Sequence, residues 1–459
     1  MLVKILDKLI EHLSSDCVIG PLAISERASS FWDPSPMEAI ALVKPRTTQD
    51  ISLTLKLCHE SGQGVIIHGG LSGCCQGAKT SANKVVISLE RMDKIETIDH
   101  IGMTATIEAG ATLENVQNEI NENGFYFPLD LGARGSCMIG GNVATNAGGI
   151  NVIRYGMMRN QVLGLEAVLA DGTILSSMNQ MLKNNAGYDL KQLFIGTEGT
   201  LGIVTRVVVK LEMGHTSQNT GLVALNSFNN VKAFLAHMKG KMGGILSAYE
   251  VMWGDYYRAV TSEGWHTSPM GRDHNYYVIV ECDGTHKEQD ETNFLNALEG
   301  ALETGFIEDA VLPKSESERR AIWNIRENFE ALYQNKPIFL YDVSLPIKNM
   351  EYYINEVQAR LKQRWGNVFC SILGHIGDGN LHLFVCPGEG GEELHIKSDE
   401  DVYTPLVKYG GSVSAEHGIG TEKKAWLHLS RSPVEIKLMK HLKKSLDPKG
   451  ILNPGVIFD

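Results

Sequence analysis

The pattern of apolar and polar positions in the first half of the chain predicts alternating helices and strands. Thr47, with Asp50 three residues later, precedes apolar positions at helical spacing that continue to Gly62, as in a capped amphipathic helix. Apolar runs of strand length follow at 65–67, 85–88, 104–108, 163–169 and 203–211. Asp171-Gly172, after the fourth run, indicates a hairpin turn. The first 210 residues are therefore predicted to form an α+β domain.

The second half of the chain resumes this alternation after a polar stretch that runs from Gly214 to Thr220. Helical periodicity covers 226–239, 286–303, 315–334 and 349–364. Strand-like runs lie at 276–282, 338–343, 368–373 and 381–386. We expect a first domain over 1–213 with its core at 38–213, a second α+β domain over 214–410, and a C-terminal segment over 411–459.

Length, charge and thiol content exclude several classes of protein. A chain of 459 residues exceeds the size of a single hydrophobic core, and its net charge of −12 argues against binding nucleic acid. The eight cysteines show no C-x-x-C spacing, which indicates free thiols in a reducing compartment. Residues 1–13 resemble neither a signal nor a transit peptide, and no apolar run reaches ~18 residues. We expect a cytoplasmic protein without an integral membrane segment, attached to a membrane at most peripherally.

Glycine is concentrated in three clusters of the first domain, at 68–73, 139–149 and 196–202. None of them matches the G-x-G-x-x-G or Walker pattern, so a Rossmann site and a P-loop are unsupported. Glycine lets successive N–H groups point into one concavity that can bind a pyrophosphate. A single cluster is more simply explained as a tight turn. Together, with interleaved Asn and Thr donors, the three clusters favour a phosphate-bearing ligand.

Histidines and a carboxylate in the second half have the composition of a metal site. His375 and His382 flank a Gly-Asp-Gly-Asn turn sequence that can bring both imidazoles together. Glu416 and His417 add a carboxylate and a third imidazole in a glycine-rich segment. Two histidines and one carboxylate suit zinc, iron or manganese. The alternative from spacing alone is a surface hairpin with solvated histidines.

These motifs resemble a known family. The segments 68–73, 128–149 and 196–205 resemble, in order and spacing, the FAD-binding domain of the vanillyl-alcohol-oxidase superfamily. H-x-G-D-G-N-x-H at 375–382, E-H-G-I-G at 416–420 and L-N-P-G at 452–455 resemble its D-lactate, D-2-hydroxyglutarate and glycolate dehydrogenase branch. The resemblance implies a two-subdomain FAD-binding domain, an α+β cap domain carrying the histidine motif, and a C-terminal segment that returns to the FAD domain. It also implies oxidation of a D-2-hydroxy acid to the 2-keto acid.

The resemblance also implies roles for individual residues. It assigns His375, His382 and Glu416 to one divalent metal, zinc first, and His417 and Arg326 to catalysis. FAD contacts are implied at Gly69, Gly70, Leu71, Ser72, Gly73, Pro128, Asp130, Ser136, Gly140, Gly141, Asn142, Thr145, Asn146, Gly148, Glu198, Gly199, Gly202, Ile203 and Asn453. No histidine directly follows Gly69-Gly70, where some members attach flavin covalently, so we expect non-covalent FAD.

The substrate side departs from the hydroxyglutarate-type pattern at two positions. Those members place a Lys and an Asn where this chain has Leu340 and Phe384. We therefore expect D-lactate-like or larger apolar substrates, with D-2-hydroxyglutarate as the alternative. Arg326 suits a substrate carboxylate, although an exposed ion pair with Glu330 is a second interpretation.

Other functions and partners stay open at the level of sequence. A metal hydrolase without redox chemistry and a flavin-binding protein without turnover are the competing classes. A dehydrogenase also needs an electron acceptor, for which a quinone, an electron-transfer flavoprotein and a cytochrome are candidates. A homodimer is one candidate assembly.

Overall fold

The computed structural model describes residues 2–334 and 337–459, with side chains from Ile5 onward in the first helix. The chain forms two compact units. Unit 1 comprises the chain up to Gly148, Met157–Gly214 and Glu416–Asp459, and unit 2 comprises Gly149–Gly156 and His215–Ala415. The short segment 149–156, which the sequence suggested for the first domain, thus belongs to unit 2.

Both units are of the expected α+β class. The strands are β1 Val18–Ile19, β2 Ala41–Val43, β3 Val65–His68, β4 Val85–Ser88, β5 Ile95–Asp99, β6 Thr104–Glu108, β7 Phe125–Tyr126, β8 Val162–Val168, β9 Ile174–Ser177, β10 Ile203–Lys210, β11 Glu212–Met213, β12 Ser217–Leu225, β13 Leu246–Trp253, β14 Tyr276–Gly284, β15 Asp309–Val311, β16 Phe339–Ser344, β17 Phe369–His375 and β18 Asn380–Cys386. The helices are α1 Leu2–His12, α2 Pro21–Ile24, α3 Thr48–Ser61, α4 Leu113–Glu122, α5 Ile139–Thr145, α6 Val152–Tyr155, α7 Met158–Gln161, α8 Phe228–Met242, α9 Gly254–Val260, α10 Lys287–Glu303, α11 Glu316–Glu327, α12 Met350–Trp365, α13 Glu392–Tyr403, α14 Leu406–Tyr409 and α15 Pro433–Leu446. Among the described residues, no helix combines the length and apolarity needed to cross a bilayer.

The capped helix predicted after Thr47 is confirmed as α3. The Thr47 hydroxyl accepts a hydrogen bond from the Asp50 amide, and the Asp50 carboxylate accepts one from the Thr47 amide. These two bonds satisfy amides that the first helical turn would otherwise leave without partners. Gly62 ends the helix with a φ of +66°, a left-handed conformation that favours glycine.

Unit 1 contains a four-stranded sheet in the order β1-β2-β4-β3 and a five-stranded sheet in the order β5-β6-β10-β8-β9. In the first sheet, β4 runs parallel to both β2 and β3. The loop that follows β3 carries the first glycine cluster. The C-terminal segment contributes to the same unit, because Leu452 forms a parallel bridge with Val65 at the start of β3.

Unit 2 is built on a seven-stranded antiparallel sheet in the order β15-β12-β14-β13-β17-β18-β16. Apolar residues on one face of this sheet pack against helix α11. The strand register places a row of buried polar side chains on that same face. The row comprises Glu281, Glu250, His375, His382 and Asp342, one from each of five neighbouring strands.

One helix is shorter than the periodicity predicts. The pattern over 315–334 suggested continuous helix, whereas α11 ends at Glu327 and 330–334 form a separate 3-10 turn. The reason is local, because the Asn328 side chain accepts a hydrogen bond from the Glu330 amide. Such an Asx turn competes with helical hydrogen bonding.

Helix α15 is connected to the rest of unit 1 by one half-buried lysine. The Lys443 ammonium donates to the Thr200 and Leu452 carbonyls, both at 2.8 Å, and pairs with the buried Asp447 carboxylate at 2.6 Å. Burial lowers the pKa of Lys443, while its pairing with Asp447 opposes the shift. These bonds link α15 to the third glycine cluster and to the stretch at Leu452 that follows the helix.

Replacing Lys443 with Met is expected to destabilise the protein by about 3 kcal/mol, because it leaves the buried Asp447 carboxylate without its cation. Urea unfolding followed by circular dichroism measures the loss. Lys444→Met, at an exposed position of the same helix, is the control and should change stability little. Equal stability of the two variants would contradict the prediction.

Candidate active site

The two histidines of unit 2 lie at the turn end of a β-hairpin. The chain turns between β17 and β18 at Ile376–Gly379, where Gly379 has a φ of +97°. His375 ends β17 and His382 lies within β18, and their rings are 5.3 Å apart at nearly a right angle. The turn therefore brings the imidazoles together, as the sequence indicated.

A buried carboxylate lies beside each imidazole. His375 Nδ1 is 2.7 Å from Glu250 Oε1, and because a carboxylate only accepts, Nδ1–H is the donor. In this tautomer the lone pair of His375 is on Nε2, the arrangement that a carboxylate partner gives to histidines that bind metals. His382 Nδ1 is 3.8 Å from the Asp342 carboxylate. Two adjacent imidazoles with carboxylate partners are a donor set that fits a divalent metal.

Asp342 also binds the loop segment that leads into the Glu-His motif. Its carboxylate accepts from the Ala415 amide at 3.0 Å, from the Ser414 hydroxyl at 3.4 Å and from the Asn380 side chain at 2.8 Å. Glu416 and His417 follow Ala415 directly in the chain, which passes there from unit 2 into unit 1.

Arg326 is buried, with 7% of its surface exposed, so the interpretation as a solvated partner of Glu330 is wrong. Its Nε donates to Glu250 Oε2 at 2.9 Å. Its Nη2 also lies 2.9 Å from Oε2 but is not aligned for a hydrogen bond, and it has no other acceptor among the described residues. The guanidinium thus retains a buried donor for a further acceptor.

Sequence reasoning missed two buried glutamates on the sheet. Glu250 binds His375 and Arg326, and Glu281 accepts from the Trp323 indole at 2.9 Å and pairs with Arg319 at 3.0 Å. Burial raises the pKa of Glu281, with Asp283 adding to the shift and Arg319 opposing it. Each glutamate interrupts an otherwise apolar run. That interruption is the available signal, since a buried carboxylate requires a partner.

In unit 1, the first two glycine clusters approach each other through backbone alone. A Cβ added to Gly69 would lie 3.8 Å from the Gly141 Cα. A Cβ on Gly70 would lie 1.8 Å from the Ser136 carbonyl oxygen, and one on Gly140 would lie 2.6 Å from the Ala109 Cβ. Side chains are sterically excluded at Gly70 and Gly140. The result is a backbone-lined surface of the kind that accepts a dinucleotide.

Four non-glycine residues with left-handed backbone lie in the three glycine clusters and in the C-terminal segment. Leu71, Asn146, Glu198 and Asn453 have φ values between +41° and +57°, and they are four of seven such residues in the described chain. This conformation is costly for residues with a Cβ and is concentrated at functional sites. All four were predicted as FAD contacts from the resemblance.

Glu198 and Asn453 join three segments of unit 1. The Glu198 carboxylate accepts from the amides of Ile419 at 2.7 Å and Gly420 at 2.8 Å. The Asn453 side chain donates to the Glu198 carbonyl at 2.6 Å and accepts from the Ile67 amide at 2.9 Å. Burial raises the pKa of Glu198, and the two amides oppose this shift. The backbone just after His417 is fixed in this way.

Several other predicted cofactor residues use their side chains within unit 1. Asp130 pairs with Arg134 at 2.6 Å, Asn142 donates to Cys137 Sγ at 3.6 Å, and Asn146 accepts from the Arg159 amide at 2.9 Å. The hydroxyls of Thr145 and Ser136 donate to the carbonyls of Gly141 and Ala133. The remaining predicted positions lie in loops or at the start of β10, and they are Ser72, Gly73, Pro128, Gly148, Gly199, Gly202 and Ile203.

Both units match known protein families. Residues 39–177 match the family described as FAD binding domain, and residues 215–457 match FAD linked oxidases, C-terminal domain. The chain is 39% identical over 414 residues to the mitochondrial D-2-hydroxyglutarate dehydrogenase of Rattus norvegicus, covering 90% of this chain and 77% of the relative. It is 37% identical over 434 residues to D-2-hydroxyglutarate dehydrogenase of Xanthomonas citri pv. viticola, covering 93% and 90%.

A solved structure has the same fold. The 4-ethylphenol oxidase from Gulosibacter chungangensis superimposes with a TM-score of 0.77 at 17% identity, covering 99% of this chain and 97% of that one. At this level of identity the likeness concerns the fold alone. It agrees with the vanillyl-alcohol-oxidase type that the glycine clusters resemble.

The expected cytoplasmic location is wrong by the same comparison. Relatives from Rattus norvegicus, Oryza sativa and Arabidopsis thaliana are named as mitochondrial enzymes. The inference relied on free thiols and on the composition of residues 1–13, and free thiols indicate a reducing compartment without identifying which one.

The loop after β3 is fixed by a neutral histidine. His68 is buried, and its Nε2–H donates to the Ala78 carbonyl at 2.9 Å. Burial lowers the pKa of His68 from its ordinary value of 6.5 to about 4. Between these values the unfolded chain binds more protons than the folded one, so stability falls as pH falls through this window.

At pH 5, His68 is therefore expected to reduce stability by about 2 kcal/mol relative to pH 7.5. His68→Gln keeps an amide donor but does not titrate, so its stability should change less over the same interval. Urea unfolding of both proteins at the two pH values measures the difference. Equal pH dependence in wild type and variant would contradict the prediction.

Proposed function

This chain belongs to the FAD-linked oxidase family and is a FAD-dependent D-2-hydroxy acid dehydrogenase, and we propose that it prefers D-lactate and larger apolar substrates. Family membership removes the hydrolase and the non-catalytic flavoprotein as alternatives. One observation supports the preference, namely the apolar pair that Leu340 and Phe384 form beside His382. D-2-hydroxyglutarate remains the alternative substrate, favoured by the names of the relatives.

Leu340 and Phe384 are direct cross-strand partners in β16 and β18. They are two residues from Asp342 and His382 along these strands, so all four side chains lie on one face. A distal carboxylate placed against Leu340 and Phe384 would lose hydration without gaining a partner, at a cost of several kcal/mol. An apolar substrate side chain would instead gain about 0.8 kcal/mol per buried methylene.

We further propose that His375, His382 and Glu416 bind one divalent ion, zinc first, with manganese or iron as alternatives. The proposal is supported by the close approach of the two imidazoles and by the hydrogen bond from His375 to Glu250, which fixes the His375 tautomer with its proton on Nδ1. A divalent ion supplies Lewis acidity, which lowers the pKa of a bound hydroxyl. His417, the residue after Glu416, would accept the hydroxyl proton as the general base.

Arg326 binds the substrate carboxylate in this proposal. Its buried Nη2 has no aligned acceptor among the described residues, which is costly unless a ligand provides one. A planar guanidinium suits a carboxylate in such a position. The reaction leaves the substrate as a 2-keto acid, with the hydroxyl proton on His417.

FAD is proposed to bind non-covalently against the glycine clusters of unit 1. When bound, it supplies the sink for the two electrons removed with the substrate's hydride. The backbone-lined surface at Gly69, Gly70, Gly140 and Gly141 would contact its pyrophosphate. The cysteines lack the spacing that binds an iron–sulfur cluster, so the chain has no such motif to take electrons from the flavin. A quinone, an electron-transfer flavoprotein or a cytochrome is proposed to reoxidise the flavin.

The substrate preference is tested by stopped-flow flavin reduction with D-lactate, D-2-hydroxyisocaproate and D-2-hydroxyglutarate. The two monocarboxylates should show the higher kcat/KM because the Leu340–Phe384 pair offers no partner to a second carboxylate. The double variant Leu340→Lys, Phe384→Asn should shift the ratio toward D-2-hydroxyglutarate. If D-2-hydroxyglutarate is the best substrate of the wild-type protein, the alternative function is correct.

His382→Ala is expected to lose the divalent ion and most turnover while retaining FAD, because the histidine motif and the glycine clusters belong to different units. Metal content by mass spectrometry and the flavin absorption spectrum measure both cofactors, and acid should release the flavin. His428→Ala, at an exposed histidine, is the control and should keep both. Full metal content in His382→Ala would contradict the ligand assignment.

A further inference from the structure

Glu250 is the one side chain of unit 2 observed to bind both His375 and Arg326 among the described residues. It lies in β13 with 1% of its surface exposed. Oε1 accepts from His375 Nδ1 at 2.7 Å, and Oε2 accepts from Arg326 Nε at 2.9 Å. Each carboxylate oxygen thus serves a different partner.

The fold explains how these partners meet. Glu250 and His375 are direct cross-strand partners in β13 and β17, so their side chains leave the sheet on the same face. Arg326 lies in the last turn of α11, which packs on that face. The carboxylate therefore lies between an imidazole from the sheet and a guanidinium from the helix.

Charge compensation alone does not explain this arrangement. One guanidinium is sufficient to neutralise one buried carboxylate. The second bond, to His375, fixes the tautomer and the ring orientation of that imidazole, and such carboxylate–histidine pairs commonly tune metal ligands. The same carboxylate orients the Arg326 guanidinium through Nε, and Nη2 has no aligned acceptor in the part of the chain that the structure describes.

We propose that Glu250 is a positioning residue that sets the geometry between the metal ligand His375 and the carboxylate-binding Arg326. The inference rests on the proposed function, because it takes His375 as a ligand and Arg326 as the substrate contact. Glu250 touches neither the ion nor the substrate. It acts through two side chains that do.

The test compares Glu250→Ala, Glu250→Gln and wild type, all with FAD bound and stripped of metal. Zinc binding is measured by titration against a chromophoric chelator, and D-lactate oxidation is then measured on the zinc-saturated proteins with a dye as acceptor. Glu250→Ala should weaken zinc binding by about 10- to 100-fold, as the loss of a carboxylate behind a histidine ligand does.

Glu250→Gln can still accept from His375 but presents an amide in place of the carboxylate. It should keep most zinc affinity and raise KM about tenfold, the effect of losing one charge-assisted hydrogen bond.

Glu281→Gln is the matched control. Glu281 is a buried carboxylate on the same sheet face that also binds α11, through Trp323 and Arg319 rather than Arg326. Its replacement should lower thermal stability and leave zinc affinity and KM unchanged. If Glu281→Gln reproduced the Glu250 effects, the role of Glu250 would be structural.

The outcomes separate this inference from the proposed function. Wild-type zinc affinity in Glu250→Ala, or an unchanged KM in Glu250→Gln, would overturn the positioning role while leaving the metal site intact. Failure of the wild-type protein itself to bind any divalent ion would instead overturn the proposed metal chemistry. If Glu250→Ala does not fold, Glu250→Gln decides the question through its split between KM and zinc affinity.

Discussion

The face of the seven-stranded sheet that packs against α11 carries two buried carboxylates among its apolar side chains. Burying a carboxylate is unfavourable unless it is paired, and these pairings determine the position of α11. Glu281 is paired with Arg319 and Trp323, and Glu250 is paired with Arg326. The spacing of these three α11 residues places them on one face of a helix. Two buried carboxylates on adjacent strands therefore fix both the position and the rotation of α11. An apolar interface would allow small sliding and rotation, whereas these paired charges do not.

In unit 1, hydrogen bonds from two polar side chains hold strained loops in place beside the glycine clusters. Glu198 and Asn453 adopt left-handed backbone conformations, and their side chains bind amides and a carbonyl from segments far apart in sequence. The hydrogen bonds offset the backbone strain, since leaving these buried groups unpaired would cost more. The glycine clusters can then present bare backbone to a ligand.

Local features were predictable from the sequence, and long-range pairings were not. The Thr47 cap and the turn between His375 and His382 depend on a few adjacent residues, so pattern alone predicted them. For Arg326 the sequence suggested a substrate carboxylate or, as the second interpretation, Glu330 on its own helix, but its partner Glu250 lies 76 residues away on a strand that the pattern did not reveal. The link between Glu250 and His375 spans 125 residues. Such pairs depend on which strands are neighbours in the sheet, and the periodicity of apolar positions does not predict that order.

The division of the chain also bears on the order in which the protein folds during synthesis. Unit 1 is completed only by residues 416–459, which the ribosome makes after all of unit 2, and Leu452 and Ile451 belong to the apolar core around β3. Until they emerge, that core stays open and β3 lacks its bridge at Val65. Contacts between segments so far apart in sequence close slowly. The newly made chain thus exposes apolar surface for most of its synthesis, a period in which protection by a chaperone favours correct folding over aggregation.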